Sequence, residues 1–169
     1  TKQNPVKFAK KIFRVAVFGF STSSSAAALP LNVKTTTEEL GVDEKIASFV
    51  LPLGMTINMN GTAIMQVVAT LFCAGYDVTL SQLIVIALLA LIASAGTPAA
   101  PGAGAIILFT ILSGLGYIND GALLAYSLIL AINRPIEMLV TALNVVGDSA
   151  TAIYVAKSEG MLNEDIYNS

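Results

Sequence analysis

The chain has 169 residues, of which 55% are hydrophobic and only 12% are charged. An average soluble domain is about one quarter charged, so this composition, with a mean hydropathy of +0.76, predicts an integral membrane protein. Histidine is absent and cysteine occurs once, which argues against a disulfide framework, a CxxC metal site and the usual catalytic base. The net charge of −2 argues against a nucleic-acid partner. We expect neither an enzyme nor a nucleic-acid-binding protein.

The first segment is basic and then turns apolar. Its basic residues are Lys2, Lys7, Lys10, Lys11 and Arg14, and no short apolar core with a small-residue cleavage site follows them, so no signal peptide is predicted. A serine-rich stretch at 21–25 separates apolar residues 8–20 from 26–33. We predict a hairpin over 1–33 that enters and leaves the membrane by one face. The chain starts with Thr rather than Met, and we expect a fragment of a longer protein or one of two polypeptides.

The second element is a predicted membrane-spanning helix over 44–76, since about 20 apolar residues suffice to cross a bilayer. Polar residues interrupt it at 56–62, with the sequence Thr-Ile-Asn-Met-Asn-Gly-Thr. Irregular backbone at membrane depth is tolerated only where it is buried in protein or lines a wet cavity. The interruption therefore predicts a break in the helix that exposes hydroxyl, amide and carbonyl oxygens.

The third element, over 79–116, is too short on either side of its centre for two spans. Its centre is the proline- and glycine-rich stretch 96–102. Two short apolar helices joined by such a stretch predict a second re-entrant hairpin. The polar tips of both hairpins are candidates for binding small cations or the polar part of an amino acid.

The fourth element, over 120–157, is a predicted spanning helix that contains two acidic residues. Glu137 and Asp148 are eleven residues apart, about three turns, and so lie on one face. Intramembrane acids are costly unless they are paired or ion-bound, and they indicate function by default. Arg134 could pair with Glu137 at i, i+3. Asp148 has no basic residue nearby in the sequence, and a metal ion or a proton is its expected companion.

The distribution of Lys and Arg predicts the topology. Segments 1–14, 34–45 and 157–169 hold eight of these residues, and segments 75–79 and 116–120 hold none, so the first group, including the tail 158–169, is expected in the cytoplasm. The order hairpin, span, hairpin, span then gives two units of opposite orientation. Inverted repeats with broken helices are typical of secondary transporters. The predicted fold is thus an all-α, multi-pass protein of the cell (inner or plasma) membrane.

Four ordered motifs resemble a known family. They are Ser-Ser-Ser-Ala-Ala-Ala-Leu-Pro at 23–30, Asn-Met-Asn-Gly-Thr at 58–62, Gly-Thr-Pro-Ala-Ala-Pro-Gly-Ala-Gly at 96–104 and Asn-Val-Val-Gly-Asp at 144–148. From about residue 4 to 160, the chain resembles the C-terminal half of the dicarboxylate/amino acid:cation symporters, the glutamate-transporter family. The resemblance implies hairpin 1, helix 7, hairpin 2 and helix 8 of a transport domain that moves as an elevator. It also implies a homotrimer, and a scaffold part that is missing from this chain.

The resemblance further implies the ligand sites. Sodium site 1 would use carbonyl oxygens of Gly54, Asn58 and Asn144 and the carboxylate of Asp148. Sodium site 2 would use Thr56, Met59 and the hairpin-2 backbone at Ser94, Ala95 and Thr97. An amino acid substrate would lie among Ser23, Ser25, Thr62, Ala100, Gly104, Glu137, Thr141 and Asn144. Hairpin 2 would close as the gate, and closure that needs occupied cation sites would couple cation to substrate.

Three departures from the family pattern qualify these implications. Asn60 stands where the family has an aspartate that helps to form a third sodium site. Val140 replaces an arginine that binds acidic side chains, and valine cannot clamp a carboxylate, so a neutral amino acid is expected. Glu137 replaces the usual aspartate that holds the substrate amino group, and it reaches one carbon further, which is compatible with a smaller substrate or a protonatable carboxylate.

The leading hypothesis is a sodium-coupled symporter of a neutral amino acid. One alternative is a proton-coupled amino acid or dicarboxylate symporter, in which Glu137 or Asp148 carries the proton. Another is a membrane subunit that keeps the fold without transporting, which the loss of charge at Asn60 and Val140 favours. Retention of Asp148, Asn144 and both polar hairpin tips argues against that second alternative.

Overall fold

The computed structural model describes residues 3–169, and within that range every regular element is an α-helix. The all-α prediction is confirmed. Lys2, assigned above to the first basic segment, lies outside the described residues. The helices are α1 (Pro5–Thr22), α2 (Ser25–Glu38), α3 (Glu44–Ile57), α4 (Asn60–Cys73), α5 (Leu80–Ala95), α6 (Ala103–Leu115), α7 (Asp120–Ser158) and α8 (Glu164–Asn168).

Local capping explains most of the helix starts. The side chains of Asn4, Ser24 and Asp43 accept backbone N–H bonds at the first turns of α1, α2 and α3. Thr79 and Gln82 form a reciprocal capping box on α5, and the Asn119 side chain caps α7. Helices α4 and α6 differ, because neither has a side-chain cap at its own first turn.

Helix α7 is the only described helix that is both long and apolar enough to cross a bilayer by itself. It has 39 residues and contains Pro135 without interruption. Helices α3 and α4, which together cover most of the predicted span 44–76, are separate 14-residue helices joined at Asn58 and Met59. Re-entrance of the two helix pairs and their inverted relation remain predictions.

Two apolar clusters hold the helices around α7. The larger lies among α1, α2, α3 and the C-terminal part of α7, and it includes the fully buried Val15, Ala28 and Leu51. The smaller joins α4 and α6 to the N-terminal part of α7 through residues such as Leu108 and Leu112. Their separation places the polar residues of α7, from Glu137 to Asp148, along the middle of the molecule.

The C-terminal segment packs against the first helix. The Lys11 ammonium donates to the carbonyl oxygens of Glu39, Ile166 and Tyr167 at 2.8, 2.6 and 3.0 Å. The Lys157 ammonium donates to the exposed Glu164 carboxylate, and this hydrogen bond lowers the pKa of Glu164. These contacts fix the ends of α1, α2 and α7 at one end of the helix bundle.

Candidate functional site

The tips of the two helix pairs meet in front of α7. Ser23 ends α1 with a left-handed backbone (φ 51°), and Ser24 is the N-cap of α2. The Ser24 hydroxyl donates to the Ala99 carbonyl oxygen at 2.9 Å, and the Ala26 amide is 3.5 Å from the same oxygen. The serine-rich and proline-rich stretches, 75 residues apart in sequence, are thereby brought together.

A small, partly enclosed cavity lies beneath the two tips. All eight residues assigned to substrate by the resemblance line it, namely Ser23, Ser25, Thr62, Ala100, Gly104, Glu137, Thr141 and Asn144. The remaining lining residues are Met59, Met65, Thr97, Pro98, Ala99 and Val140. The structure therefore assembles one small cavity from both helix pairs, the α3–α4 break and α7.

Two polar features and one apolar one make this cavity suited to a small zwitterion. The buried Ser23 hydroxyl has no hydrogen-bond partner among the described residues, so it is free to bind a ligand. The Glu137 carboxylate supplies the negative charge of the wall, and Val140 gives its neighbouring surface no charge at all. The chemistry of the wall fits an ammonium group and a small uncharged side chain.

Glu137 is buried, with 8% of its surface exposed. Its Oε1 accepts the N–H of Gly102 at 2.8 Å, and its Oε2 lies 3.8 Å from Nη1 of Arg134, whose side chain is half exposed. The i, i+3 pairing expected from the sequence is thus present at the outer limit of an ion pair. The stronger contact is the hydrogen bond to the tip of the α5–α6 pair, which spacing within α7 could not have indicated.

Asn144 joins the broken helix to α7. Its Oδ1 accepts the Gly61 N–H at 2.8 Å and its Nδ2 donates to the Thr62 hydroxyl at 3.0 Å. The approach is close, since a Cβ atom on Gly61 would lie 2.7 Å from the Val140 carbonyl oxygen. This packing fixes the position of α4 along the polar face of α7.

Asp148 lies one turn beyond Asn144 and is 2% exposed. Its Oδ1 accepts a hydrogen bond from Asn58 Nδ2 at 3.0 Å. It also faces the backbone of Gly54, where an added Cβ would lie 2.7 Å from that same oxygen. The structure therefore gathers Gly54, Asn58 and Asp148, three of the four residues assigned to sodium site 1, with Asn144 four residues earlier on α7.

Asp148 makes no ion pair within residues 3–169. In that part of the chain no group of three or more His, Cys, Asp or Glu residues could hold a metal ion. A cation beside Asp148 would have to be held by one carboxylate together with amide and carbonyl oxygens, which are the hard ligands that alkali and alkaline-earth cations prefer.

The residues assigned to sodium site 2 are only partly brought together. Met59 and Thr97 line the cavity, while Thr56 and Ala95 are exposed. The hydroxyls of Thr56, Ser94 and Thr97 all donate to carbonyl oxygens of their own helical turns. In this conformation those hydroxyls bond within their own turns, whereas the resemblance assigns the hairpin-2 backbone to the cation, so the composition of site 2 stays a prediction.

Sequence reasoning missed Gln66. It is fully buried, and its Nε2 donates to the Gly104 carbonyl oxygen at 2.8 Å, which joins α4 to the first turn of α6. Its spacing of four residues from Thr62 places both on one helical face. A polar residue on that face of an otherwise apolar helix was the signal that could have identified it.

The sequence matches a known transporter family. A model of the sodium:dicarboxylate symporter family matches residues 1–158. The excitatory amino acid transporter 2 of Homo sapiens is 36% identical over 165 residues, 94% of this chain and 28% of its own length. An excitatory amino acid transporter of Caenorhabditis elegans is 36% identical over 156 residues, 90% of this chain and 30% of its own.

A third relative is the putative sodium-dependent excitatory amino acid transporter glt-4 of Caenorhabditis elegans, 35% identical over 167 residues, 96% of this chain and 33% of its own length. The chain thus spans a third or less of the length of these relatives. The matched region of this chain includes the cavity-lining residues and the α3–α4 break.

Proposed function

Because the chain belongs to the sodium:dicarboxylate symporter family, a family of transporters and not of enzymes, we propose that it carries the substrate- and cation-binding elements of a cation-coupled amino acid symporter. The observation that carries this proposal is the cavity that two helix tips, a broken helix and α7 form around Glu137. The names of the relatives agree with this proposal, since those relatives are called excitatory amino acid transporters and one is called sodium-dependent.

The substrate in this proposal is a neutral amino acid. Glu137 would bind its ammonium group, and the Ser23 and Ser25 region and the Asn144–Thr62 pair would surround its polar atoms. Val140 gives the cavity wall no cation with which to bind an acidic side chain, and an unpaired carboxylate in this buried space would be strongly disfavoured. The relatives named for excitatory amino acids would therefore differ from this protein in substrate.

The coupling ion in this proposal is sodium, transported with the substrate. Site 1 would lie between Asp148, Asn58 and Gly54, and the direct contacts among these three residues support this placement. Site 2 would form when the hairpin-2 backbone at Ser94, Ala95 and Thr97 rearranges around Thr56 and Met59, since Thr56 and Ala95 are exposed while Met59 and Thr97 line the cavity. Such a rearrangement would link cation binding to the position of the α5–α6 pair.

Movement completes the proposal. The α5–α6 pair would act as the gate, and the whole unit would move as an elevator relative to a scaffold within a homotrimer of the cell membrane, with the basic segments and the tail 158–169 cytoplasmic. A broad, open apolar groove between α4 and α7, lined by residues such as Ile64, Phe72 and Leu139, supports contact with a further apolar element or with lipid.

Proton coupling is the second candidate, and one observation favours it. Asp148 is buried and its described hydrogen-bond donor is the neutral amide of Asn58, so a proton could replace a metal ion as the neutralising charge. In that case substrate binding would not require sodium.

A thermal melt of the complete purified transporter tests these alternatives. The panel consists of neutral and acidic amino acids, each in sodium chloride and in choline chloride. Ligands that bind the native state raise the melting temperature by mass action, so we expect stabilisation by a neutral amino acid in sodium only. Stabilisation in choline as well would indicate protons. No response to any amino acid in either salt would contradict amino acid transport and would favour the membrane subunit that keeps the fold without transporting.

A further inference from the structure

Helices α4 and α6 lack side-chain caps of their own, and both receive an acceptor from α7. The first-turn amide of Gly61 in α4 donates to Asn144. The amide of Gly102, which is the N-cap of α6, donates to Glu137. All other helices of the described chain begin with a capping side chain from their own N-terminus. Both α4 and α6, which line the cavity, thus receive from α7 the acceptor that their own N-termini lack.

The Glu137 contact satisfies a strong local need. Gly102 has a left-handed backbone (φ 86°), and the first turn of α6 is Ala-Gly-Ala, which offers no acceptor. A helix N-terminus presents amide groups without partners and a partial positive charge. A carboxylate placed there gains a charge-assisted hydrogen bond. The helix end in turn lowers the free-energy cost of burying the carboxylate charge.

The side-chain length matters to this contact. Glu137 Oε1 spans from α7 to the Gly102 amide at 2.8 Å. An aspartate would retract the carboxylate by one methylene, roughly 1.5 Å, and would leave the amide beyond hydrogen-bond distance unless α6 moved. The backbone of Gly104 is also near, since a Cβ there would lie 3.9 Å from the same oxygen.

We propose that Glu137 is the residue that holds the α5–α6 pair closed over the cavity when no substrate is bound, through its hydrogen bond to the Gly102 amide. This inference rests on the proposed function, in which that pair is the gate. A carboxylate has about four acceptor positions, so a substrate ammonium group can bind Glu137 while the Gly102 contact persists. One side chain thereby serves both ligand binding and empty closure.

Empty closure has a consequence for transport. A carrier that alternates between two sides of a membrane must return without its cargo to give net uptake, whereas exchange of substrate for substrate omits that step. If Glu137 holds the empty gate shut, then loss of its contact with Gly102 slows the empty return and affects net uptake more than exchange.

Two substitutions separate the two roles of Glu137. Glu137→Gln keeps the length and the Oε1 acceptor but loses the charge, so it should keep the gate closed and lose binding of the ammonium group. Glu137→Asp keeps the charge but loses the reach, so it should open the gate and retain sodium-dependent binding. The probes are hydrogen exchange of a peptide that covers 98–108 in the ligand-free complete transporter, and amino acid uptake and exchange in proteoliposomes.

We expect exchange of the Gly102 amide to be about tenfold faster in Glu137→Asp than in wild type, as fits the loss of one charge-assisted hydrogen bond. In Glu137→Gln it should stay within about threefold of wild type. Net uptake by Glu137→Asp should fall severalfold more than its exchange activity. Melting temperatures of both variants show whether either has simply unfolded.

The outcomes distinguish this inference from the proposed function. Unchanged hydrogen exchange of the Gly102 amide in Glu137→Asp, or equally fast hydrogen exchange in both variants, would overturn the role of Glu137 in closure even if amino acids are transported. Conversely, faster hydrogen exchange of the Gly102 amide in Glu137→Asp alone supports the role of the Glu137–Gly102 contact even if no tested amino acid binds. In that case only the proposed substrate class fails.

Discussion

The helix pairs α1–α2 and α5–α6 both bring a polar tip to the cavity, yet they are attached to α7 in different ways. The first pair interlocks with α7: Gly19 lies so close that an added Cβ would be 3.0 Å from Val145 Cγ2. The buried side chains of Asn32, Thr36 and Ser149 form a hydrogen-bonded cluster between α2 and α7. The first pair is therefore fixed to α7 by packing and by a buried polar network.

The second pair is attached more lightly. Near the cavity, two hydrogen bonds link α6 to α7, from Tyr126 to the Ala105 carbonyl oxygen at 3.1 Å and from Gly102 to Glu137 at 2.8 Å. The outer surface of α5 exposes large apolar side chains such as Leu88 and Leu91. Segments with few buried contacts open most readily. This difference is the one that the proposed gating by the α5–α6 pair requires.

The largest effect is expected from Asp148→Asn, which changes neither helix pair. Asp148 contacts Asn58 and Gly54 at the α3–α4 break, so this variant tests the cation site separately from the two tips. Loss of its charge should weaken sodium binding by about a hundredfold, since an interaction with a charged ligand contributes up to about 3 kcal/mol. The measurement is sodium-dependent thermal stabilisation, with the exposed Asp77→Asn as control. Unchanged sodium affinity would place the cation elsewhere.

A matched pair of glycine substitutions compares the two attachments directly. Gly19→Leu in α1 must displace Val145, whereas Gly114→Leu in α6 meets nothing within 4 Å. We expect Gly19→Leu to lower the free energy of unfolding by about 2 kcal/mol through overpacking. Gly114→Leu should be neutral or stabilising by up to about 1 kcal/mol, because leucine favours helices over glycine. The measurement is the melting temperature of each variant in the complete protein. Equal losses of stability in the two variants would contradict the difference in packing between α1 and α6.

Val140→Arg tests the wall that the two tips cover. Val140 lines the cavity beside Thr141, so an arginine there can pair with a carboxylate side chain of a substrate. Affinity for an acidic amino acid should rise by about tenfold or more, and affinity for neutral ones should fall. The measurement is competition for uptake, with Val140→Leu as a control for size. Recognition unaltered by arginine would refute the assignment of specificity to this position.

The smallest expected effect comes from Ser24→Ala at the contact between the tips. The Ser24 hydroxyl donates to Ala99 and also accepts the Ala27 amide at the start of α2. Its loss should cost about 1 kcal/mol and accelerate hydrogen exchange near residue 99. Ser21→Ala is the control, since that hydroxyl only bonds Phe18 in its own helix. Equal exchange in both variants would show that the tips close independently of each other.

Much of this architecture was predictable from local sequence. Polar interruptions at Asn58, the serine stretch and the Pro/Gly stretch each coincide with a helix end, because breakers and caps act within a few residues. The all-α class followed from the long apolar segments. Whether the helix pairs re-enter one face of a membrane stays a prediction.

The site was less predictable where it depends on distance in sequence. The spacing of Glu137 and Arg134 indicated an ion pair, but the better contact of Glu137 is with Gly102, 35 residues away. The bond from Gln66 to Gly104 spans 38 residues. Such contacts are set by how α6 docks on α4 and α7, and that docking has no signature in periodicity or local propensity.

Helix α7 sets a fixed distance between the two proposed binding charges. From Glu137 to Asp148 it runs without a break, so their Cα atoms are about 16 Å apart along the axis. At an effective dielectric constant of about 20, two unit charges at that separation interact by only about 1 kcal/mol, roughly a fivefold change in affinity. Larger cooperativity between cation and amino acid therefore has to be carried by the protein chain. Residues 58–62, which bond to Asp148 at one end and to Asn144 at the other, provide one direct connection, in addition to the proposed rearrangement of the α5–α6 pair.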